Sequence, residues 1–386
     1  MANWCIINAK AQRSEGRRKD GKDAGQTLYE GRLLEIDLSA DQYYEYTGTI
    51  HLHSNHSDGS GTVQEIIEAA TAVGLDFVML TDHDSLGALY SGDEGWHGQV
   101  LLLVGQEISP RTHHYLAFDL DEEIPGAKRT DYQNYVNSVN EAGGFGIIAH
   151  PYGGKQPPFF HARAHAWENW QITGYTGIEI WSYMVDWADH VNLLTFMYHY
   201  FHPEKAIRGP RPITLRKWDE VAQHRHVVGI GSTDAHAKSL PVFRFLKFLP
   251  YEYLFRTIRT HVLLAKPLLT ESLPESKRLI YDAIQAGHCF IGYDLLADSM
   301  GFTFMAELRG RPALLMGDEA PFERGTVLLV SVPQQGNIRL IHNGALVHNV
   351  DGKTLRLPID QPGVYRVEVY YNDQPWIFSN PLFLRE

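Results

Sequence analysis

Between Thr49 and His236, nearly every short apolar run in this chain ends in a histidine or a carboxylate. Thr49-Ile50 leads into His51-Leu52-His53, Asp76 to Thr81 into Asp82-His83-Asp84, and Val100 to Val104 into Gly105-Gln106-Glu107. Phe145 to Ala149 runs into His150-Pro151, Gly177-Ile178 into Glu179-Ile180-Trp181, and Val227 to Gly231 into Asp234-Ala235-His236. Runs of this length read as buried strands. Helical patterns separate them, the first opened by a capping box at Thr62-Val63-Gln64-Glu65 and carrying Ile66, Ile67, Ala69, Ala70 and Val73. Further helices are expected over 131–142, 251–264 and 274–286. Strand–helix alternation calls for parallel strands covered by helices, as a barrel or a doubly wound sheet. In a barrel the strand ends open on one mouth, so the polar ends would meet there.

The side chains delivered to those ends are of one chemical kind. His51 and His53, two residues apart, should point to one side of a strand, and Asp234 and His236 repeat the spacing. Asp58 follows in a polar turn and His114 opens the run His114–Phe118. A single histidine is more often a core or surface residue, and that reading holds for His56, His97, His161, His165 and His202. It fails for the set, because imidazoles and carboxylates recurring at strand ends are metal ligands. Nitrogen and oxygen donors without sulfur admit Zn, Mn and Fe alike.

Composition narrows the class. A chain of 386 residues, 44% hydrophobic and 21% charged, can bury a sizeable core. A net charge of −12 argues against a general nucleic-acid surface, and bound divalent cations would offset part of it. Cys5 and Cys289 are the only cysteines, so neither a disulfide framework nor a cysteine-based zinc knuckle is available. No run has the length of a membrane span and the N-terminus lacks a signal-peptide layout, so a cytoplasmic protein is expected. Residues 1–46 read as a basic tail with a candidate added strand at Leu33–Leu38, and 47–298 as the strand–helix unit. From 299 to 386 strands follow one another with almost no helix, with a hairpin signal at Asn343-Gly344. That part reads as a small antiparallel β-sandwich with a structural or lid role.

The ordered motifs His51-Leu52-His53 with Ser57-Asp58-Gly59, Thr81-Asp82-His83, Gly105-Gln106-Glu107, His114, Ala149-His150-Pro151 and Asp234-Ala235-His236 resemble those of the polymerase and histidinol phosphatase (PHP) family, from about Thr49 to Asp294. The resemblance implies an α/β fold, a distorted TIM-like (β/α)7 barrel, with two to three divalent metal ions in a centre that is trinuclear in the family. It implies that His51, His53, Glu107 and Asp234 hold one metal, that Glu107 bridges to a second bound by His114 and His150, and that Asp58, His83 and His236 hold the third. Of the adjacent pair His113 and His114, the latter opens the strand.

Six neutral imidazoles and three carboxylates around three divalent cations leave a charge of +3, or +2 with a bridging hydroxide, which suits a phosphate dianion. Clustered cations bring bound water to a pKa of about 7 and can clamp attacking and leaving oxygens. The function implied is hydrolysis of a phosphate ester of a small molecule or nucleotide, with Glu107, Asp234 and His236 as catalytic candidates. Asp234 or a neighbouring histidine would relay a proton to the leaving group. Asp82 and Asp84 are candidates to orient imidazoles. Arg111, Lys155, Arg163 and Lys238 are candidates to meet an anionic small-molecule substrate, and Glu179 and Trp181 to wall its pocket. A carbamate or aryl-ester hydrolase would use the same centre, and a non-catalytic metal-binding module is a third reading. Oligomeric state is left open.

Overall fold

A computed structural model of the chain describes residues 32–34, 43–110, 113–126, 131–155, 165–238, 247–309 and 313–386. The elements run β1 (Arg32–Leu34), β2 (Tyr43–Ile50), α1 (Val63–Val73), β3 (Phe77–His83), α2 (Gly87–Tyr90), β4 (Gly95–His97), β5 (Val100–Ile108), β6 (Tyr115–Phe118), α3 (Tyr132–Glu141), β7 (Phe145–Ile148) and β8 (Gly177–Ser182). There follow α4 (Tyr183–His190), α5 (Phe196–Phe201), α6 (Pro212–His224), β9 (Val228–Ser232), α7 (Tyr251–Leu254), β10 (Ile258–Leu264), α8 (Leu273–Ala286) and β11 (Cys289–Tyr293).

Strand β2 pairs in parallel with β3, β3 with β5, β7 with β8 and β8 with β9. Strand β5, parallel to β3 but antiparallel to β4 and β6, is buried along its whole length, as expected of a strand covered on both faces. The segment after β9 then bonds back to the segment after β2. His53 N donates to Ala235 O (2.9 Å), Asp234 N donates to His51 O (2.9 Å), and Leu52 bridges Ala235 in parallel. Helix α1 carries the expected capping box, with Thr62 and Glu65 exchanging bonds, and buries Val63, Ile66, Ile67 and Ala70.

Three readings need correction. First, β6 runs antiparallel to both neighbours. Only residues 109–114 join β5 to β6, too few for the crossover of a dozen or more that a parallel pair requires. Because β6 is reversed, the residue before its start lies at the same end as the finish of β5. Second, 251–264 is not a helix. Only Tyr251–Leu254 is helical, and Ile258–Leu264 forms a strand antiparallel to β2 and β11. Its β-branched Ile258, Thr260 and Val262 favour extended backbone. Third, β2 ends at Ile50, and His51 has a left-handed backbone (φ 63°), so strand alternation is not what brings His51 and His53 together.

A three-residue strand β1, antiparallel to β2, overlaps the expected added strand at Leu33 and Leu34, while residues 1–31 and 35–42 lie outside the described residues. The C-terminal strands are β12 (Thr303–Glu307), β13 (Leu314–Leu315), β14 (Glu319–Pro321), β15 (Val327–His342), β16 (Ala345–Pro358), β17 (Gly363–Tyr371), β18 (Gln374–Ser379) and β19 (Leu382–Arg385). They pair antiparallel except β14 with β19. The β15–β16 turn has φ 49° at Asn343 and 82° at Gly344, the type I′ geometry that Asn-Gly favours. Strand β18 pairs with β11, so hydrogen bonding runs without a break across position 298. Apolar packing crosses it too, since Leu263 and Phe290 join the C-terminal core while Phe378 and Phe383 join the larger one.

Candidate metal centre

The bridge between Leu52 and Ala235 organises the site. It lays His51-Leu52-His53 beside Asp234-Ala235-His236, with the middle residues buried in the core. Asp234 shares the left-handed backbone of His51 (φ 52°), and His150 also has positive φ (25°). Non-glycine residues hold such conformations only where the surroundings impose them, and those places cluster at functional sites. The turn carrying Asp58 closes tightly on this layer, since any side chain at Gly59 would collide with the His53 carbonyl.

All nine expected side chains meet here. Their donor atoms form four overlapping groups: His53, Asp58, His83 and His236; His51, His53 and Glu107; His51, His150 and Asp234; and His83, Glu107 and His114. Glu107 is the hub. Its oxygens lie 3.3 Å from His51 Nε2, 3.3 Å from His53 Nε2, 2.9 Å from His83 Nδ1, 2.8 Å from His114 Nδ1 and 3.3 Å from His150 Nε2. Asp234 Oδ1 is 3.4 Å from both His51 Nε2 and His53 Nε2. Asp58 Oδ1 is 3.0 Å from His236 Nε2 and 3.7 Å from His83 Nε2. His83 thus sits between the group at Glu107 and the group at Asp58.

His113 turns away, stacking on Tyr132 at 3.6 Å between ring centroids. Arg111 and Arg163 lie outside the described residues. Lys155 Nζ donates to the Asp189 carbonyl (2.8 Å), and Lys238 Nζ pairs with Asp58 Oδ2 (2.7 Å) at the edge of the cluster. Asp82 accepts from Ser54 and Ser57, and Asp84 from Ser109 N, so neither faces an imidazole. That task falls to Glu179, whose Oε1 is 2.7 Å from His51 Nδ1 and whose Oε2 accepts from His150 N. A neutral His51 that gives Nδ1–H to Glu179 would turn its Nε2 lone pair towards Glu107 and Asp234. The sequence signal for this was present, a buried glutamate at a strand end, but it reads equally as a substrate contact. Trp181 is buried and donates from Nε1 to Asp186.

The donor set fits divalent cations on two grounds. Several donor atoms are buried with no hydrogen-bond partner: His51 Nε2, both His53 ring nitrogens, Glu107 Oε2 and His114 Nδ1. They sit within ion-pair distance of one another, yet their lone pairs are not satisfied by directed hydrogen bonds. Orphaned polar atoms of this kind are costly unless something outside the chain completes them. The second ground is electrostatic. Burial, reinforced by repulsion from His236 and His83, pushes the His53 pKa down to about 3, so that imidazole is neutral. Against their burial, Glu107 raises His51, His83 and His150, whose protons a bound cation would have to displace. Burial opposes ionisation of Glu107, but His114, His51 and His83 around it hold its carboxyl well below the usual range. Asp234 and Asp58 are lowered the same way against their burial, by His51 and by His236 respectively.

Among the described residues no helix is long and apolar enough to cross a membrane. No curated protein matches the chain. Among solved structures, a two-domain protein from Bacteroides vulgatus containing a predicted PHP-like metal-dependent phosphoesterase is 17% identical, covers 93% of this chain and 100% of its own, and has a TM-score of 0.45. A protein from Bifidobacterium adolescentis named as a metal-dependent phosphoesterase is 16% identical, covering 49% of this chain and 87% of its own at a TM-score of 0.31. An amidohydrolase from Chromobacterium violaceum, with bound sulfate and no metal, is 17% identical over the same shares at 0.29. The PHP domain model matches residues 49–207, which contain His51, His53, Asp58, His83, Glu107, His114 and His150, so that segment is similar to the PHP domain family.

Proposed function

We propose that the protein is a metal-dependent phosphoesterase acting on a small-molecule or nucleotide phosphate ester. The observation that carries this is the convergence of six imidazoles and three carboxylates with unpartnered, buried donor atoms. We read the ligand sets as His51, His53, Glu107 and Asp234; Glu107, His114 and His150; and Asp58, His83 and His236, in a trinuclear centre of Zn, Mn or Fe. The strand sequence β2-β3-β5-β6-β7-β8-β9, bonded back to its start, is read as the distorted (β/α)7 barrel that presents them. Residues 47–298 form the catalytic unit in this reading, and 299–386 a β-sandwich-like buttress.

When bound, the cations would supply a hydroxide nucleophile at neutral pH and neutralise phosphate oxygens. The chain's own residues do the rest. Glu107 joins the groups, so loss of its charge would separate them. Glu179 fixes the His51 tautomer, and the left-handed backbones at His51, His150 and Asp234 aim their side chains inward. Asp234 and His236, each partly exposed, could pass a proton to a leaving oxygen. Lys238 screens Asp58.

The test is turnover of p-nitrophenyl phosphate, bis-p-nitrophenyl phosphate and an aryl carbamate by protein purified without chelator, with metal content measured on the same sample. Phosphoester turnover proportional to bound metal is expected. Carbamate turnover without phosphoester turnover would replace this reading with the carbonyl-directed one.

A further inference from the structure

A small cleft, partly open to solvent, adjoins the metal-ligand cluster. His150 and Glu179 line it together with Tyr152, Trp181, Ser182 and Arg211. We propose that this cleft receives the leaving group of the substrate and selects an uncharged, hydroxyl-bearing alcohol, read by the Ser182 hydroxyl. The proposal rests on the phosphoesterase reading above and narrows it to phosphomonoesters of polyols, sugars or nucleosides.

The argument begins with Ser182. The residue is 6% exposed, and its Oγ is buried with no hydrogen-bond partner. It occupies the N-cap of α4, where serine ordinarily accepts a bond from the first turn, yet it makes no such bond. A buried hydroxyl left unpaired costs about 1–3 kcal/mol. A substrate hydroxyl in the cleft can both donate to and accept from Ser182 and remove that cost.

The charged groups around the cleft are already committed to one another. Asp186 accepts from Trp181 Nε1 (3.0 Å), Arg208 N (3.1 Å) and Gly209 N (2.9 Å). Arg211 pairs through Nε with Asp189 and gives Nη1 to the Tyr152 carbonyl (2.9 Å). Glu179 is spent on His51 and His150. Among the described residues lining the cleft no charge of either sign is left to bind a second ionic group, so a second phosphate or a carboxylate would find no partner among them and be disfavoured. The remaining surface is apolar and aromatic, with Pro151, Ile180 and Val185 beside Tyr152 and Trp181, which suits the faces of a sugar or polyol carbon chain. Continuity with His150 places the ester oxygen at the cluster and the alcohol in the cleft.

The experiment compares kcat/KM for ribose phosphate and phenyl phosphate in the metal-loaded full chain, in wild type, Ser182→Ala and Ser182→Thr. Ser182→Ala should lower kcat/KM roughly tenfold for ribose phosphate and less than about twofold for phenyl phosphate, the value of one neutral hydrogen bond. Bound metal should be unchanged, and Ser182→Thr, which keeps the hydroxyl, should retain most of the ribose phosphate activity. Equal losses on both substrates, or none on either, overturn the subsite while leaving the phosphoesterase reading intact. Failure of the wild type to turn over any phosphomonoester overturns both.

Discussion

Among the described residues two groups of buried imidazoles and carboxylates stand out, and they are built on opposite principles. At His261, on β10, both ring nitrogens are satisfied: Nδ1 lies 2.7 Å from Glu45 Oε1, and Nε2 lies 3.2 Å from Asp294 Oδ2 and 3.1 Å from Ser299 Oγ. The ring stacks on Phe290, and Glu45 Oε2 accepts from Gly301 N. At His53 neither ring nitrogen has a hydrogen-bond partner, although Nε2 lies within ion-pair distance of Glu107 and Asp234. The electrostatics diverge accordingly. Burial would lower the His261 pKa, but Asp294 and Glu45 raise it to about 10, so the ring is a cation locked between carboxylates. His53 is driven the other way, to about 3, among other imidazoles. A closed network of this kind joins strands, whereas an open one, with lone pairs facing a common centre, awaits a ligand.

The strongest way to break this contrast is to remove one member of the open group. His53→Ala or Asp234→Ala should cut phosphoester turnover by more than about 100-fold, beyond the 10–100-fold typical of outer partners, and should lower bound metal by elemental analysis. Full activity in either variant would sink the site. In the closed group, His261→Leu should leave metal content unchanged and cost about 3–5 kcal/mol in chemical denaturation, because Glu45 and Asp294 lose their partner in the interior. Glu179 tests the boundary between the two kinds, being a satisfied carboxylate that serves the open group. Glu179→Leu should weaken metal binding about 10–100-fold, read by competition with a chelator, with a smaller change in unfolding midpoint.

The smallest effect is in pH. His261 is held at about 10 when folded against an ordinary 6.5, so its stabilisation is complete below pH 6.5 and is lost as pH climbs towards 10. Asp294, where burial is outweighed by His261 and Arg259, is held at about 2 against 3.8; its contribution is present above 3.8 and fades as pH falls towards 2. Denaturation midpoints across pH should decline on the alkaline side in the wild type and lose that slope in His261→Leu.

Much of the site was legible because apolar runs ending in histidine or carboxylate carry position and chemistry together. The nine ligand-type residues could be named, although the path bringing them together could not. Strand alternation was the wrong reason for His51 and His53, since a left-handed residue and a bridge to Ala235 do the aiming. Those are tertiary facts without a local pattern. The reversal of β6 was implicit in the short link from Glu107 to His114, which is too brief for a crossover. The strand at Ile258–Leu264 was hidden because it continues directly from a helical turn, and its alternation covers only a few residues. Lys155 shows a different limit. A cation near a motif is a substrate contact or an ordinary tether, and only its geometry against Asp189 decides.

The β11–β18 ladder has a practical consequence for anyone shortening this protein. A chain cut at residue 298 would surface Cys289–Tyr293 as a bare row of amides on an otherwise apolar strip, an invitation to self-association. The C-terminal piece therefore works as a selvedge, stitched along the seam where the cloth would otherwise fray.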